Sequence, residues 1–366
     1  MVRAAPFALF FIAVGIVFIP YAGIQNDEAL FANPMYSPRN ALFWLSIFHH
    51  LVPVMQLSYV GALKTWIYRP IFAVWAPSAF SFRLPVLVAG AGAIWCFYWV
   101  LEATLGAGTA VAGALLLATD SMYLLTTCFD WGPVALQHLL LLAGLALVVR
   151  FHRLGGRWQP LAGAFFCFGL AMWDKALFSW ILGGLVVAAA VIFPRELWRA
   201  ATRRNLAVAV LAFLAGAAPF VAYNIQRPMA TFRGNASFST QAFANKVEVM
   251  RTTLNGSAMF GYLVYEEWID QSKPPVTLME RASIRVRDFA GARRTNYLTA
   301  ALAIAMLLAP LWWRNAPVRR AILFSVIFLI AAWTQMLFIR HAGTGSHHVV
   351  LLWPFPHLIV AAAFVA

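Results

Sequence analysis

The sequence predicts an all-α polytopic membrane protein, with about ten transmembrane helices and interfacial helices in two long extracytoplasmic segments. Three observations carry this prediction. Hydrophobic residues make up 62% of the 366 positions and charged residues only 11%, against roughly 25% charged in a soluble domain. The mean hydropathy is +0.76. Apolar runs long enough to cross a bilayer recur near 5–24, 82–101, 107–126, 133–150, 159–173, 176–194, 205–224, 296–313, 319–339 and 347–366. The whole chain, 1–366, reads as a single transmembrane domain.

Each element has its own signal. The first run follows Arg3, as a secretory leader would, but no small-x-small cleavage site precedes Gln25 and further runs follow, so it reads as a retained helix. Residues 25–79 are aromatic and broken by Pro34, Pro38, Pro53, Pro70 and Pro77. They are too interrupted to span, and read as loops and helices lying in the interface. Residues 225–295 form the second segment. There Val247, Met250, Leu254, Met259 and Phe260 recur at a loose helical spacing ahead of Arg281, Arg285 and Arg287, which suits a surface helix or a solvated loop. The final run reaches Ala366, consistent with a further C-terminal part beyond it.

A net charge of +14 raises nucleic acid as a partner, and the apolar composition argues against it. The basic residues sit mainly between apolar runs, where topology signals and contacts with lipid phosphates belong. With the N-terminus inside, Arg150, Arg153 and Arg157, then Arg195, Arg199, Arg203 and Arg204, then Arg314, Arg319 and Arg320 fill the short cytoplasmic loops. Of the 13 acids only Glu102 and Glu196 fall on that side. The others gather on the outer face in several separate loops, including a short one over 120–132, as they would around a site. Cys96, Cys128 and Cys167 have neither metal spacing nor the pattern of a disulfide framework.

No Walker sequence, dinucleotide fingerprint, zinc spacing or G-x-S-x-G is present. Nucleotide-driven chemistry on the cytoplasmic side therefore has no support. Gln25-Asn26-Asp27-Glu28 sets two adjacent carboxylates where the first span ends. A carboxylate there stays ionised and faces a cavity, whereas deeper in the bilayer it would be costly. Asp27 reads as a catalytic base beside Glu28, the alternative being an ordinary helix end. Lys175, in Met172-Trp173-Asp174-Lys175, is an interfacial ammonium suited to a lipid phosphate, or else a local partner of Asp174 worth ~0–1 kcal/mol. Asp130 precedes Pro133 and reads as a helix cap or a site residue. The outward-facing set also holds Lys64, Arg83, Asp120, His49, His50, His341, His347 and His348. Adjacent histidines diverge on a helix, so no metal and no cofactor is assigned.

The order of these features resembles the GT-C glycosyltransferases, in the branch of protein O-mannosyltransferases and the bacterial lipid A aminoarabinose transferase. The resemblance rests on Asn26-Asp27-Glu28, on Ser81-Phe82-Arg83-Leu84-Pro85, on Asp130, on Gly169-Leu170-Ala171-Met172 through Lys175, and on His348 through Pro354. It covers most of the chain. The family's "HPPLYYW" stretch is replaced by His49-His50-Leu51-Val52-Pro53 and Tyr59-Val60-Gly61-Ala62-Leu63-Lys64-Thr65-Trp66, a region that shapes the acceptor side in relatives.

The resemblance implies an inverting transferase in a bacterial inner membrane, working at the periplasmic face. It would move a sugar from a polyprenyl-phosphate donor to an acceptor hydroxyl on a lipid, glycan or protein. It implies Asp27 as base with Glu28 beside it, and Lys175, Lys64, Arg83, Asp130 and His348 as substrate-binding residues. The competing reading is a lipid or small-molecule transporter or flippase, which would carry charges within its spans and repeats relating two halves. A membrane assembly component without chemistry of its own is the third reading.

Overall fold

A computed structural model describes residues 2–20, 26–129, 131–258, 274–290 and 295–366. Asp130, Met259 and Phe260, named above, lie outside the described residues.

Helix α1 (Ala5–Phe18) leads into the acid-bearing segment, which opens with α2 (Asn26–Tyr36). Strands β1 (Phe43–Ile47), β2 (His50–Leu57) and β3 (Val60–Gly61) then form an antiparallel sheet in the order β1-β2-β3. Helix α3 (Leu63–Val74) closes the segment. The short helices match expectation; the sheet does not, since 25–79 was expected to hold only loops and helices. Its alternation is hidden because both faces of Phe43–Leu57 carry apolar side chains. Pro53, a residue that argues against a strand, is tolerated because it pairs with Trp44 beside a register shift, where a lost donor matters least.

The bundle follows. It comprises α4 (Ala79–Leu105), α5 (Ala107–Ala118), α6 (Ser121–Cys128), α7 (Val134–Arg153), α8 (Trp158–Asp174), α9 (Phe178–Ile192), α10 (Pro194–Ala200), α11 (Arg203–Gly216) and α12 (Ala218–Gln226). The second polar segment contributes α13 (Ala230–Asn235), α14 (Phe243–Leu254) and α15 (Leu278–Ala290). The chain then returns through α16 (Leu298–Leu307), α17 (Ala309–Trp312), α18 (Ala316–Phe338), α19 (Ser346–Val349) and α20 (Phe355–Val365). Helix α4 packs against α1, α5 and α7; α8 joins α7 to α11; α18 packs on α9 and α20. Phe11, Leu87, Ile94, Phe97 and Leu117 are buried between them.

Helices α4, α7 and α18 are each long and apolar enough to cross a membrane, and up to seven spans result if each bent pair counts as one. Among the described residues, length and composition thus fall short of the ten expected, since α1 and α16 are apolar but short. The breaks have local causes. Pro194 opens α10 after a 106° bend, and Pro219 opens α12 after a 73° bend. At the 54° break between α5 and α6, the Asp120 carboxylate accepts from the Tyr123 N–H at 2.7 Å and caps α6. Within the short outer loop expected over 120–132, residues 121–128 are helical, and Asp120 sits at the break that precedes them. The eight residues of α6 separate it from the loop that follows by roughly 12 Å.

The two polar segments are fastened together and to the bundle. Thr231 Oγ1 donates to the Ser58 carbonyl at 2.7 Å, and Asn235 Nδ2 donates to Ser58 Oγ at 3.0 Å. Residues 237–239 pair with 338–340 through Ser239 N–H to Phe338 O and Arg340 N–H to Ser237 O, both 2.9 Å. The fully buried Lys246 ammonium donates to the carbonyls of Met336, Leu337 and Ile339 at 3.2, 3.0 and 2.6 Å. A cation here satisfies the carbonyls left open at the C-terminus of α18 and meets the negative end of its dipole. Lys246→Met should lower stability by about 2–3 kcal/mol, read as a fall in thermal midpoint in detergent; an unchanged midpoint would show that the clamp contributes nothing.

Candidate active site

Asp27 owes its position to its neighbour. It lies in the first turn of α2, where an acid suits the helix dipole. The next residue, Glu28, is completely buried and meets the equally buried Arg83 at the start of α4 in a two-pronged pair: Arg83 Nε to Glu28 Oε1 at 2.6 Å and Nη2 to Oε2 at 3.0 Å. Arg83 Nη1 also donates to the Ile19 carbonyl just past α1. Its guanidinium lies 5.8 Å from the Phe129 ring. Such a pair offsets its desolvation only when its hydrogen bonds are well made. It binds α1, α2 and α4 at one point and leaves Asp27, half-buried, at the edge.

What Asp27 faces is set by the turn after α6. Gly132 has φ +65°, and a Cβ there would sit 3.5 Å from Lys175 Nζ, 3.8 Å from Asp27 Oδ2 and 4.0 Å from His347 Cδ2. Glycine suits the left-handed backbone, and three side chains converge on this turn. Lys64, almost fully buried on α3, reaches the same turn from the other side, with Nζ 3.4 Å from the Gly132 carbonyl and 4.2 Å from the centre of the Phe31 ring.

Lys175 follows α8 and is buried. Its backbone pairs with Val60 as an isolated bridge, and the Ala176 N–H donates to the Tyr59 carbonyl at 2.9 Å. The sheet is thereby sewn to the end of α8. Gly61 permits this closeness, because a Cβ there would fall 2.0 Å from the Trp173 carbonyl. Burial pushes the Lys175 ammonium down to about 8, against the pull of Asp27 and Asp174 and with the help of Lys64. The Tyr59 hydroxyl is pushed up by burial and by the Asp27 charge.

Of the residues expected from sequence, Asp27, Lys175 and Lys64 converge around Gly132. His348 is buried one position beyond His347, the two rings 4.2 Å apart, and His347 lies 5.0 Å from the Trp131 ring. Glu28 and Arg83 stand behind Asp27 and engage each other. His49 and His50 lie at the exposed hairpin turn, away from this convergence. Sequence reasoning placed His347 in the outward-facing set but did not single out Tyr59 or Gly132 as site residues. Only Gly132, as a glycine preceding Pro133, offered a local signal of special backbone. Among the described residues no group of three or more His, Cys, Asp or Glu is arranged to hold a metal. Chemically, the site offers one carboxylate able to accept a proton and two ammonium groups able to hold an anion.

A second buried polar group lies deeper: His357 Nε2 is 3.2 Å from Asp120 Oδ2, and His138 Nε2 is 2.8 Å from the Val350 carbonyl.

No protein-family model matches the sequence, and no curated protein matches it. Among solved structures, ArnT from Cupriavidus metallidurans bound to undecaprenyl phosphate aligns over 100% of this chain and 77% of its own, with 16% identity and a TM-score of 0.51. The apo state of that protein aligns over 99% and 77%, with 17% identity and a TM-score of 0.47. The present chain thus shares the fold of ArnT, and its apolar helices are those of an integral membrane protein.

Lys175 gives the site a titration to follow. The unfolded chain keeps this proton up to the ordinary 10.5, whereas the folded chain releases it near 8. Stability therefore rises with pH between those values, and the side chain is charged at neutral pH. NMR of nitrogen-labelled lysine should find the Lys175 midpoint near 8 and lower still in Asp27→Asn. A midpoint at 10.5 would contradict the buried, Asp27-coupled environment.

Proposed function

We propose that this chain is an inverting glycosyltransferase that moves a sugar from a polyprenyl-phosphate donor to an acceptor hydroxyl on the extracytoplasmic side of the membrane. The observation that carries this reading is the convergence of one carboxylate, Asp27, and two buried lysines, Lys175 and Lys64, on a single glycine turn. It occurs in a fold like that of ArnT, which has been crystallised with undecaprenyl phosphate.

The chemistry needs little more than these groups. Asp27 accepts the acceptor's hydroxyl proton as the oxygen attacks the anomeric carbon. The bond from that carbon to the phosphate oxygen breaks, and its electron pair leaves with the lipid phosphate. A phosphate is already a good leaving group, so one base suffices, whereas inverting glycoside hydrolysis also needs an acid. Lys175 and Lys64 stabilise the charge that grows on the departing oxygen, within a buried site where such interactions strengthen. Glu28 and Arg83 act as positioning residues for Asp27. Asp130 and His348 are assigned to substrate contacts. Donor lipid, membrane lipids and a lipid, glycan or protein acceptor are the partners in this reading, and the bacterial inner membrane is its setting, with the site facing the periplasm.

One observation favours the competing reading of a transporter or flippase. The buried Asp120 and His357 side chains lie 3.2 Å apart in bent helix pairs that are apolar enough to span together, and a transporter keeps its site among its spans.

Transfer of label from a polyprenyl-phosphate sugar by purified protein separates the two. Asp27→Asn should lower turnover by roughly 10²–10⁴-fold with donor binding retained, and Lys175→Met should weaken donor binding. Undiminished transfer by Asp27→Asn would remove it as the base. Lipid movement across vesicles without transfer to any acceptor would favour the transporter.

A further inference from the structure

The β1–β2 hairpin carries apolar side chains away from the protein. Its base packs on the end of the α11–α12 span, with the Phe43 ring 5.4 Å from that of Tyr223 and with Phe220 in the same cluster. Phe43, Leu45 and Ile47 occupy one face of β1, and their burial falls along the strand: Phe43 is 8% exposed, Leu45 half-buried and Ile47 42% exposed. The turn that follows, Phe48-His49, joins Ile47 to its partner His50. Phe48 is 90% exposed.

The turn's backbone makes this placement harder to dismiss. Both residues are left-handed, with φ of +49° and +63°. A two-residue hairpin of this kind favours Asn-Gly, and a bulky residue there is an outlier. A water-facing turn would gain from the usual residues, yet this chain keeps phenylalanine at its tip. Such strain points to function when the exposed side chain has something to meet.

Two features identify what it meets. The hairpin base continues directly from the exposed apolar surface of α11 and α12, where Leu211 is 67% and Ile225 72% exposed, a surface that faces lipid if this pair spans. The surrounding segment also suits an anionic lipid surface. No Asp or Glu occurs between Glu28 and Glu102, while Arg39, Arg69, His49 and His50 are all exposed.

We infer that the β1–β2 hairpin is a membrane anchor whose tip, Ile47 and Phe48, inserts among the phospholipid headgroups beside the α11–α12 span. It would hold the sheet, and with it Tyr59 and Val60 against Lys175, at a fixed height over the bilayer. This inference does not depend on the transferase reading.

The test uses the full chain in nanodiscs of phosphatidylethanolamine and phosphatidylglycerol, in a background with Cys96→Ala and Cys167→Ala. Cys128 is fully buried and stays. An environment-sensitive fluorophore is attached at Phe48→Cys or, separately, at Ile47→Cys, and Leu211→Cys serves as the lipid-facing reference. Lipids carrying a nitroxide just below the headgroup should quench both hairpin labels as strongly as the reference, with iodide in the buffer having little effect. Strong quenching by iodide would overturn the inference by placing the tip in water. Shielding from both quenchers would also overturn it, since protein would then cover the tip. Matching thermal unfolding curves for labelled and parent proteins confirm that the fold is kept, and two sites guard against the failure of one.

Discussion

The buried pair between Glu28 and Arg83 is the constraint on which the rest of the site depends. Both side chains are fully sealed from solvent, so neither charge could be tolerated alone. Folding must bring the first turn of α2 against the start of α4, and the Ile19 carbonyl past α1 is drawn to the same guanidinium. Asp27 adjoins Glu28 in the chain and cannot move far while that pair holds. A half-buried carboxylate is thus fixed by a fully buried one.

The remaining parts of the site are built onto that anchor by close approaches. Gly132 supplies the left-handed turn that brings the chain after α6 beside Asp27 and Lys175; Gly61 lets the sheet lie on the end of α8. Lys175 sits where these meet, buried enough to weaken its hold on a proton yet close enough to Asp27 to keep it at neutral pH. The second polar segment adds support from behind. Lys246 closes the end of α18, and the Ser58 contacts bind the β2–β3 turn to α13. The protein thereby gathers cations at one end of an apolar bundle.

Much of this was legible in the chain, for physical reasons. Adjacent acids after the first span and a lysine between two apolar runs are costly in a membrane protein, so Asp27 and Lys175 stood out, and the structure brings them together. Lys64 stood out in the same way. Arg83 was legible as an outward-facing cation, but neither its burial nor its partner was, because pairing across 55 positions leaves no local trace. The sheet was hidden by apolar residues on both faces and by Pro53. Hydropathy marked the spans, and one run ends at Pro194 where the chain bends, but the breaks at Pro219 and Asp120 fall inside runs that composition alone reads as straight. His347 stood in the outward-facing set, whereas Tyr59 enters the site only through tertiary folding, and nothing in its neighbourhood announces it.

The central claim is that Asp27, Lys175 and Lys64 form one site for a lipid phosphate and the group it carries. An experimental structure with polyprenyl phosphate bound tests it most directly. The account predicts the phosphate beside Lys175 Nζ and Lys64 Nζ, with Asp27 facing the carbon that would be attacked. A phosphate held instead deep among the spans, near Asp120 and His357, would contradict it and favour a transporter.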